Sequence, residues 1–126
     1  MILAPEKREL LHEYAKNRAA LEKSIKHWEK NVVAKTSVQA SVSAGDCALC
    51  KLHRRQGACD QECPVKAKTG LDLCGGTPYD DAWRALVAWI DEEPNTDSWR
   101  KARALWRKAA QAELDFLISL RPEAAP

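Results

Sequence analysis

The chain is poor in the residues that build sheets and long apolar cores: one Phe, two Tyr, one Met and only five Gly in 126 residues. No apolar run approaches the roughly 18 residues that a membrane-spanning helix needs. Charge of one sign is missing as well. Twenty Lys and Arg against 18 Asp and Glu leave a formal charge of +2, which argues against a polycation made to coat nucleic acid. A hydrophobic fraction of 45% is too high for a disordered tail, and 14.1 kDa is the size of one domain. The opening residues Met1 to Arg8 show no basic stretch followed by an apolar one, so the expectation is a cytoplasmic protein with no membrane partner.

Against those shortages stand five Cys and five Trp. In a reducing compartment an odd number of thiols points to a metal site ahead of a disulfide framework. All five, Cys47, Cys50, Cys59, Cys63 and Cys74, fall in a turn-rich segment from Asp46 to Gly76 that also holds four of the five glycines.

Three helical patterns frame this segment. The first covers about 5–33, with Pro5 in its opening turn and an apolar stripe of Leu11, Tyr14, Leu21, Ile25, Trp28 and Val32, interrupted at Arg18. Glu22 and Lys26, four apart, read as a solvated ion pair. Residues 34–46 form a linker or one short strand in which Val38, Ala40 and Val42 alternate. A second helix is expected over 78–92, capped by Thr77 with Pro78 in first position, buried through Trp83, Leu86, Val87 and Ile90, and stopped before Pro94. The third covers about 97–120, with Trp99, Ala102, Trp106, Ala109, Ala110, Leu114 and Leu117 inward and caps available among residues 95–98. A tail of 121–126 follows. The fold expected is mainly α: three helices in one domain, with an irregular cysteine-rich zinc-binding loop at 47–76 between the first two.

Four tryptophans lie on these stripes and read as core. Trp89 falls off the stripe assigned to the second helix, and an exposed indole there is a candidate partner anchor.

Cys47-Ala-Leu-Cys50 has the two-residue spacing that lets both thiolates converge on one cation while turn amides donate to sulfur, the knuckle of structural zinc sites. Cys59 and Cys63 are separated by three residues, and Cys74 precedes Gly75-Gly76. Since a closed zinc site takes four ligands, the sets Cys47, Cys50, Cys63, Cys74 and Cys47, Cys50, Cys59, Cys63 both remain open, with His53 as a substitute ligand. An iron–sulfur cluster is the competing cofactor, but the compact cysteine run of ferredoxins is missing. A thioredoxin-like pair at Cys47 and Cys50 lacks its strand–helix context. An all-thiolate zinc site leaves no position for water or substrate, so it staples the fold and does no chemistry.

No Ser or Cys nucleophile stands beside His12, His27 or His53 in a recognisable turn, and Gly75-Gly76 is too short to cradle a phosphate. An enzyme is therefore not expected. Binding is, in one of two forms. A protein partner would be met by helix faces and the metal loop. Nucleic acid would be met by Lys51, Arg54 and Arg55 in the loop and by Arg100, Arg103 and Arg107, aligned at three and four spacing on the third helix. Asp91, Glu92, Glu93, Asp97, Glu113 and Asp115 flank those arginines and weaken any positive field.

The set Ser24-Ile25-Lys26-His27-Trp28-Glu29, Cys47-x-x-Cys50, Cys63-Pro64, Thr69-Gly70, Cys74 and Thr77-Pro78-Tyr79 resembles a group of small bacteriophage and prophage proteins over about residues 24–80. That group typically has Cys-x-x-Cys where this chain has Cys59-x-x-x-Cys63. The resemblance implies an accessory factor in a bacterial host that binds, and inhibits or redirects, a host protein or complex such as a defence or transcription machine.

Overall fold

The computed structural model describes residues 5–42, 54–55, 58–59 and 77–121, with side chains over 15–42 and 77–121. It is mainly helical. α1 is Pro5–Val32, α2 Pro78–Ile90 and α3 Asp97–Ser119, and a 3-10 turn spans Ser37–Gln39. Two residues on each side, β1 (Arg54–Arg55) and β2 (Ala58–Cys59), pair antiparallel with Arg54 opposite Cys59.

The helices start where local chemistry starts them. Thr77 accepts the Tyr79 N–H at 3.2 Å, Pro78 fills the first position where no donor is needed, and Asp80 and Asp81 sit at the positive end of the helix dipole. Among the four candidate caps of α3 the structure uses Thr96, whose hydroxyl accepts the Trp99 N–H at 3.1 Å and donates to the Glu93 carbonyl at 2.8 Å. The turn between α2 and α3 places Asn95 at φ 68°, directly after Pro94. That order, proline then a residue tolerant of positive φ, is what a tight turn selects.

α3 is the central element and packs against both α1 and α2. Its buried positions, Trp99, Ala102, Trp106, Ala110, Glu113, Leu114 and Leu117, match the expected stripe except that Ala109 is half-buried and Glu113 is inside. Glu113 therefore does not share the arginine face as the sequence suggested. α1 contributes Ala20, Leu21, Ser24, Ile25, Trp28 and Asn31. The helices run close because small residues, Ala82, Ala102 and Ala110, separate the large ones. Into that space four indoles interleave: Trp28 and Trp106 have centroids 6.0 Å apart, Trp106 and Trp89 6.3 Å, Trp89 and Trp99 5.9 Å. Arg103 closes the row, its guanidinium 4.9 Å from the Trp99 ring centroid.

This interleaving overturns two expectations about α2. Its inward face is Ala82, Leu86 and Trp89, while Trp83, Val87 and Ile90 lie outside at 53%, 42% and 57% exposure. Trp89, read from its spacing as an exposed partner anchor, is fully buried. α2 is apolar around more than half its circumference, so periodicity alone allows either face. The slot between Trp99 and Trp106 decides in favour of the one carrying Trp89.

Between α1 and α2 the chain turns back along α1. Asn31, itself buried, acts there as a strand partner: its side chain donates to the Ser41 carbonyl at 2.8 Å and accepts the Ser41 N–H at 3.1 Å. His27 donates from Nε2 to the same carbonyl at 2.9 Å. Ala40 and Val42 then face the core, but Val38 does not, because the 3-10 turn breaks the alternation that the linker sequence suggested.

Glu22 does not serve Lys26. Arg121, at the far end of α3, grips its carboxylate with two hydrogen bonds of 2.7 Å, and Arg18 approaches it at 3.2 Å. Arg18 thus fills the gap in the α1 stripe with a charge that has a role. The Arg121 guanidinium, hydrogen-bonded to the carboxyl, holds Glu22 below the usual carboxylate range, with Arg18 adding to the effect and burial opposing it. A carboxylate depressed in the fold stabilises it fully above its unfolded pKa and stops doing so as pH falls through the lower, folded one. The pair is a third exposed, so the stabilisation is about 1 kcal/mol or less. Glu22→Gln is expected to lower the urea midpoint slightly at pH 7 and to leave it unchanged at pH 2.5; an equal loss at both pH values would refute the assignment.

Candidate functional site

The residues on which the metal reading rests are mostly outside the described part of the chain. Cys47, Cys50, Cys63, Cys74, Lys51 and His53 all lie there. Cys59 is described only by its backbone, paired opposite Arg54 at the end of the short β1–β2 ladder. Arg54 and Arg55 form the facing strand. Sequence reading missed this pairing, although a signal for it exists: Gln56-Gly57 stands between the paired residues, and two residues with a glycine is a spacing that hairpins favour. Among the described residues no three His, Cys, Asp or Glu side chains converge.

What the structure does place is the base of the cysteine segment. The chain enters it after Val42 and leaves it at Thr77, and these two points are held together. The Tyr79 hydroxyl donates to the Val42 carbonyl, and the Tyr79 ring meets Trp28 edge-on with centroids 6.4 Å apart. Trp28 in turn carries His27 edge-on at 6.0 Å, and His27 reaches Ser41. His27 and Trp28 on α1 and Tyr79 on α2 therefore form one clasp with Ser41 and Val42. The described residues on either side of 43–76 thus meet at that clasp. His27 is spent on this structural contact.

The arginines proposed for nucleic acid do align on α3, at positions three and four apart, but two have local work. Arg100 contacts Asp97 at 3.0 Å, and Arg103 lies over Trp99. Arg107 is exposed, as are Lys101 and Lys108. Exposed apolar surface occurs elsewhere. Among the described residues the large hydrophobic side chains that stand exposed are Val33, Val38, Trp83, Val87, Ile90 and Leu105, and five of these lie just after α1, in the 3-10 turn or on α2. The 3-10 turn packs on α2. The indole offered to solvent is thus Trp83, not Trp89.

Comparison of the chain with protein-family models, curated proteins and solved structures gives no match. No helix among the described residues is long and apolar enough to cross a membrane.

Proposed function

We propose that this protein is a non-catalytic binding module, a helical core bearing a zinc-stapled loop, which acts as a phage accessory factor by docking on a component of its bacterial host and inhibiting or redirecting it. The observation that carries the reading is the pairing of a closed core with an exposed apolar face. The indoles are used to lock α1, α2 and α3 together, while Trp83, Val87 and Ile90 are left outward on a helix whose position that lock fixes. Single exposed apolar residues are ordinary on any surface, but three at i, i+4 and i+7 form a contiguous strip. Thiolate spacing in Cys47-Ala-Leu-Cys50 supports the metal, and the clasp at Val42 and Tyr79 gives the loop a fixed base.

Two measurements test this. Elemental analysis of protein purified without added metal is expected to find about one zinc per chain, with four thiols protected from alkylation until a chelator is added. Protein free of zinc and iron, melting identically with and without chelator, would remove the staple. Affinity capture from bacterial lysate, with and without nuclease, is expected to retain the same protein in both arms. Capture abolished by nuclease would transfer the function to nucleic acid, and Arg107, Lys101 and Lys108 would become the residues to replace.

A further inference from the structure

The exposed strip on α2 also carries information about what covers it, and this step rests on the reading of the protein as a binding module. Trp83, Val87 and Ile90 follow one another at helical spacing, so their side chains line one flank of α2. Asp91 stands exposed four residues after Val87, with Glu92 and Glu93 directly behind it, which places carboxylates at the C-terminal end of that flank. From 80 to 93 the chain has five acids, Asp80, Asp81, Asp91, Glu92 and Glu93, against Arg84 alone. Arg84 is turned to Asp81, 3.3 Å away. A chain of formal charge +2 therefore concentrates negative charge on the helix that presents its largest exposed apolar side chain.

We infer that the α2 flank of Trp83, Val87 and Ile90 docks a cationic amphipathic helix of a partner protein, whose apolar stripe covers the three side chains while its Lys and Arg residues meet Asp91 and Glu93. Each element of the surface matches that occupant. A strip of i, i+4 and i+7 spacing is about 10 Å long, two turns of a facing helix. Trp is the residue type most enriched at the energetic centre of interfaces, where its indole fills a pocket formed by the partner. The exposed carboxylates at the end of the strip lie at the rim, where charge sets orientation, encounter rate and the rejection of wrong partners.

The same charges argue against the other occupants. A second copy using this flank would bring together two helices that each carry five acids against one Arg between 80 and 93, with that Arg already turned to Asp81. Phosphate is repelled by the same acids. A basic helix is favoured on both counts.

The test uses the full-length protein and a tryptophan-free 18-residue peptide with Leu at i, i+3, i+4 and i+7 and Lys elsewhere, alongside the same peptide with Glu for Lys. Titration calorimetry is expected to show saturable binding of the Lys peptide at one site, at least tenfold weaker for the Glu peptide. The double variant Trp83→Ser, Ile90→Ser is expected to lose tenfold or more in affinity, and Asp91→Asn with Glu93→Gln to lose severalfold together with much of the salt dependence. Both variants should keep the far-UV circular dichroism of the parent, because the replaced side chains are exposed. Leu105→Ser, on α3, is expected to change nothing.

Equal binding of both peptides, or affinity unchanged in the Trp83→Ser, Ile90→Ser variant, overturns the inference. So does a dimer in sedimentation that this variant dissolves, which would assign the flank to a second copy. Iodide failing to quench Trp83 in the free monomer overturns it too, since the chain's own residues would then cover the strip. The lysate capture stands apart from these outcomes: capture that survives in the Trp83→Ser, Ile90→Ser variant sinks this surface but not the binding module, whereas an empty capture sinks the module.

Discussion

Trp106→Ala is expected to cost about 3–5 kcal/mol, a large share of the 5–15 kcal/mol by which a domain of this kind is stable. Trp106 is fully buried, stands between Trp28 and Trp89, and donates its indole N–H to the Asn31 carbonyl at 2.9 Å. Truncation to alanine opens a cavity at the one place where all three helices contribute a ring. Two phenylalanine variants separate packing from hydrogen bonding. Trp106→Phe keeps a ring but leaves the Asn31 carbonyl without its indole donor. Trp89→Phe removes a buried N–H that has no acceptor among the described residues. The Asn31 carbonyl keeps the Ala34 N–H, so Trp106→Phe loses one hydrogen bond, worth about 0.5–1.5 kcal/mol, where Trp89→Phe loses none, and the variant at 89 should be the milder of the two despite equal burial. Urea unfolding followed by circular dichroism checks the order. A Trp106→Ala midpoint within error of the parent would mean that the indole row is not the core.

That row also explains what could be read from the sequence and what could not. Helix positions were legible: expected spans of 5–33, 78–92 and 97–120 meet observed helices of Pro5–Val32, Pro78–Ile90 and Asp97–Ser119. Proline, threonine and aspartate mark helix starts through backbone chemistry that needs no tertiary partner. The inward face of α3 was legible too, because polar residues occupy most of the rest of that helix. The face of α2 was not. Ala82, Leu86 and Trp89 compete there with Trp83, Val87 and Ile90, and both sets have helical period. Only the spacing of Trp99 and Trp106 on another helix makes room for one indole and not the other.

Polar residues inside the core were missed for a related reason. Ser24 and Asn31 lie outside the apolar stripe expected of α1 and Glu113 was placed beside the arginines, yet all three are buried. For Asn31 the partner is a backbone, which no side-chain pattern announces. The same is true of Tyr79, whose hydroxyl reaches Val42 across 37 positions of sequence. Of the candidate site, the thiolate spacing of the cysteines was visible at once, whereas the clasp that holds the cysteine segment, and the exposed flank beside it, required the fold.

Asn31→Ala is expected to destabilise the protein by about 2–4 kcal/mol and to do so unevenly along the chain. The Asn31 side chain holds both backbone groups of Ser41, accepting one hydrogen bond and donating the other. His27 also donates to the Ser41 carbonyl, so that group keeps a partner when the amide is removed. The Ser41 N–H loses the Asn31 oxygen, and it lies between Ala40 and Val42, which are buried. Satisfying it with water requires this strand to lift from α1, exposing Ala40 and Val42 and withdrawing the carbonyl that Tyr79 binds. Asn31→Asp isolates the donor: the carboxylate can still accept from Ser41 N–H but faces the Ser41 carbonyl with no hydrogen to offer, and the fold must neutralise or expose a buried charge. It is expected to be as damaging as alanine at pH 7 and to recover stability as pH falls and the carboxyl gains a proton. Amide hydrogen exchange reads the result directly. Ser41 and Val42 should lose protection in Asn31→Ala well beyond the loss in α3, while a uniform decrease across α1, α2 and α3 would show that Asn31 supports the core as a whole and not the clasp at the foot of the cysteine segment.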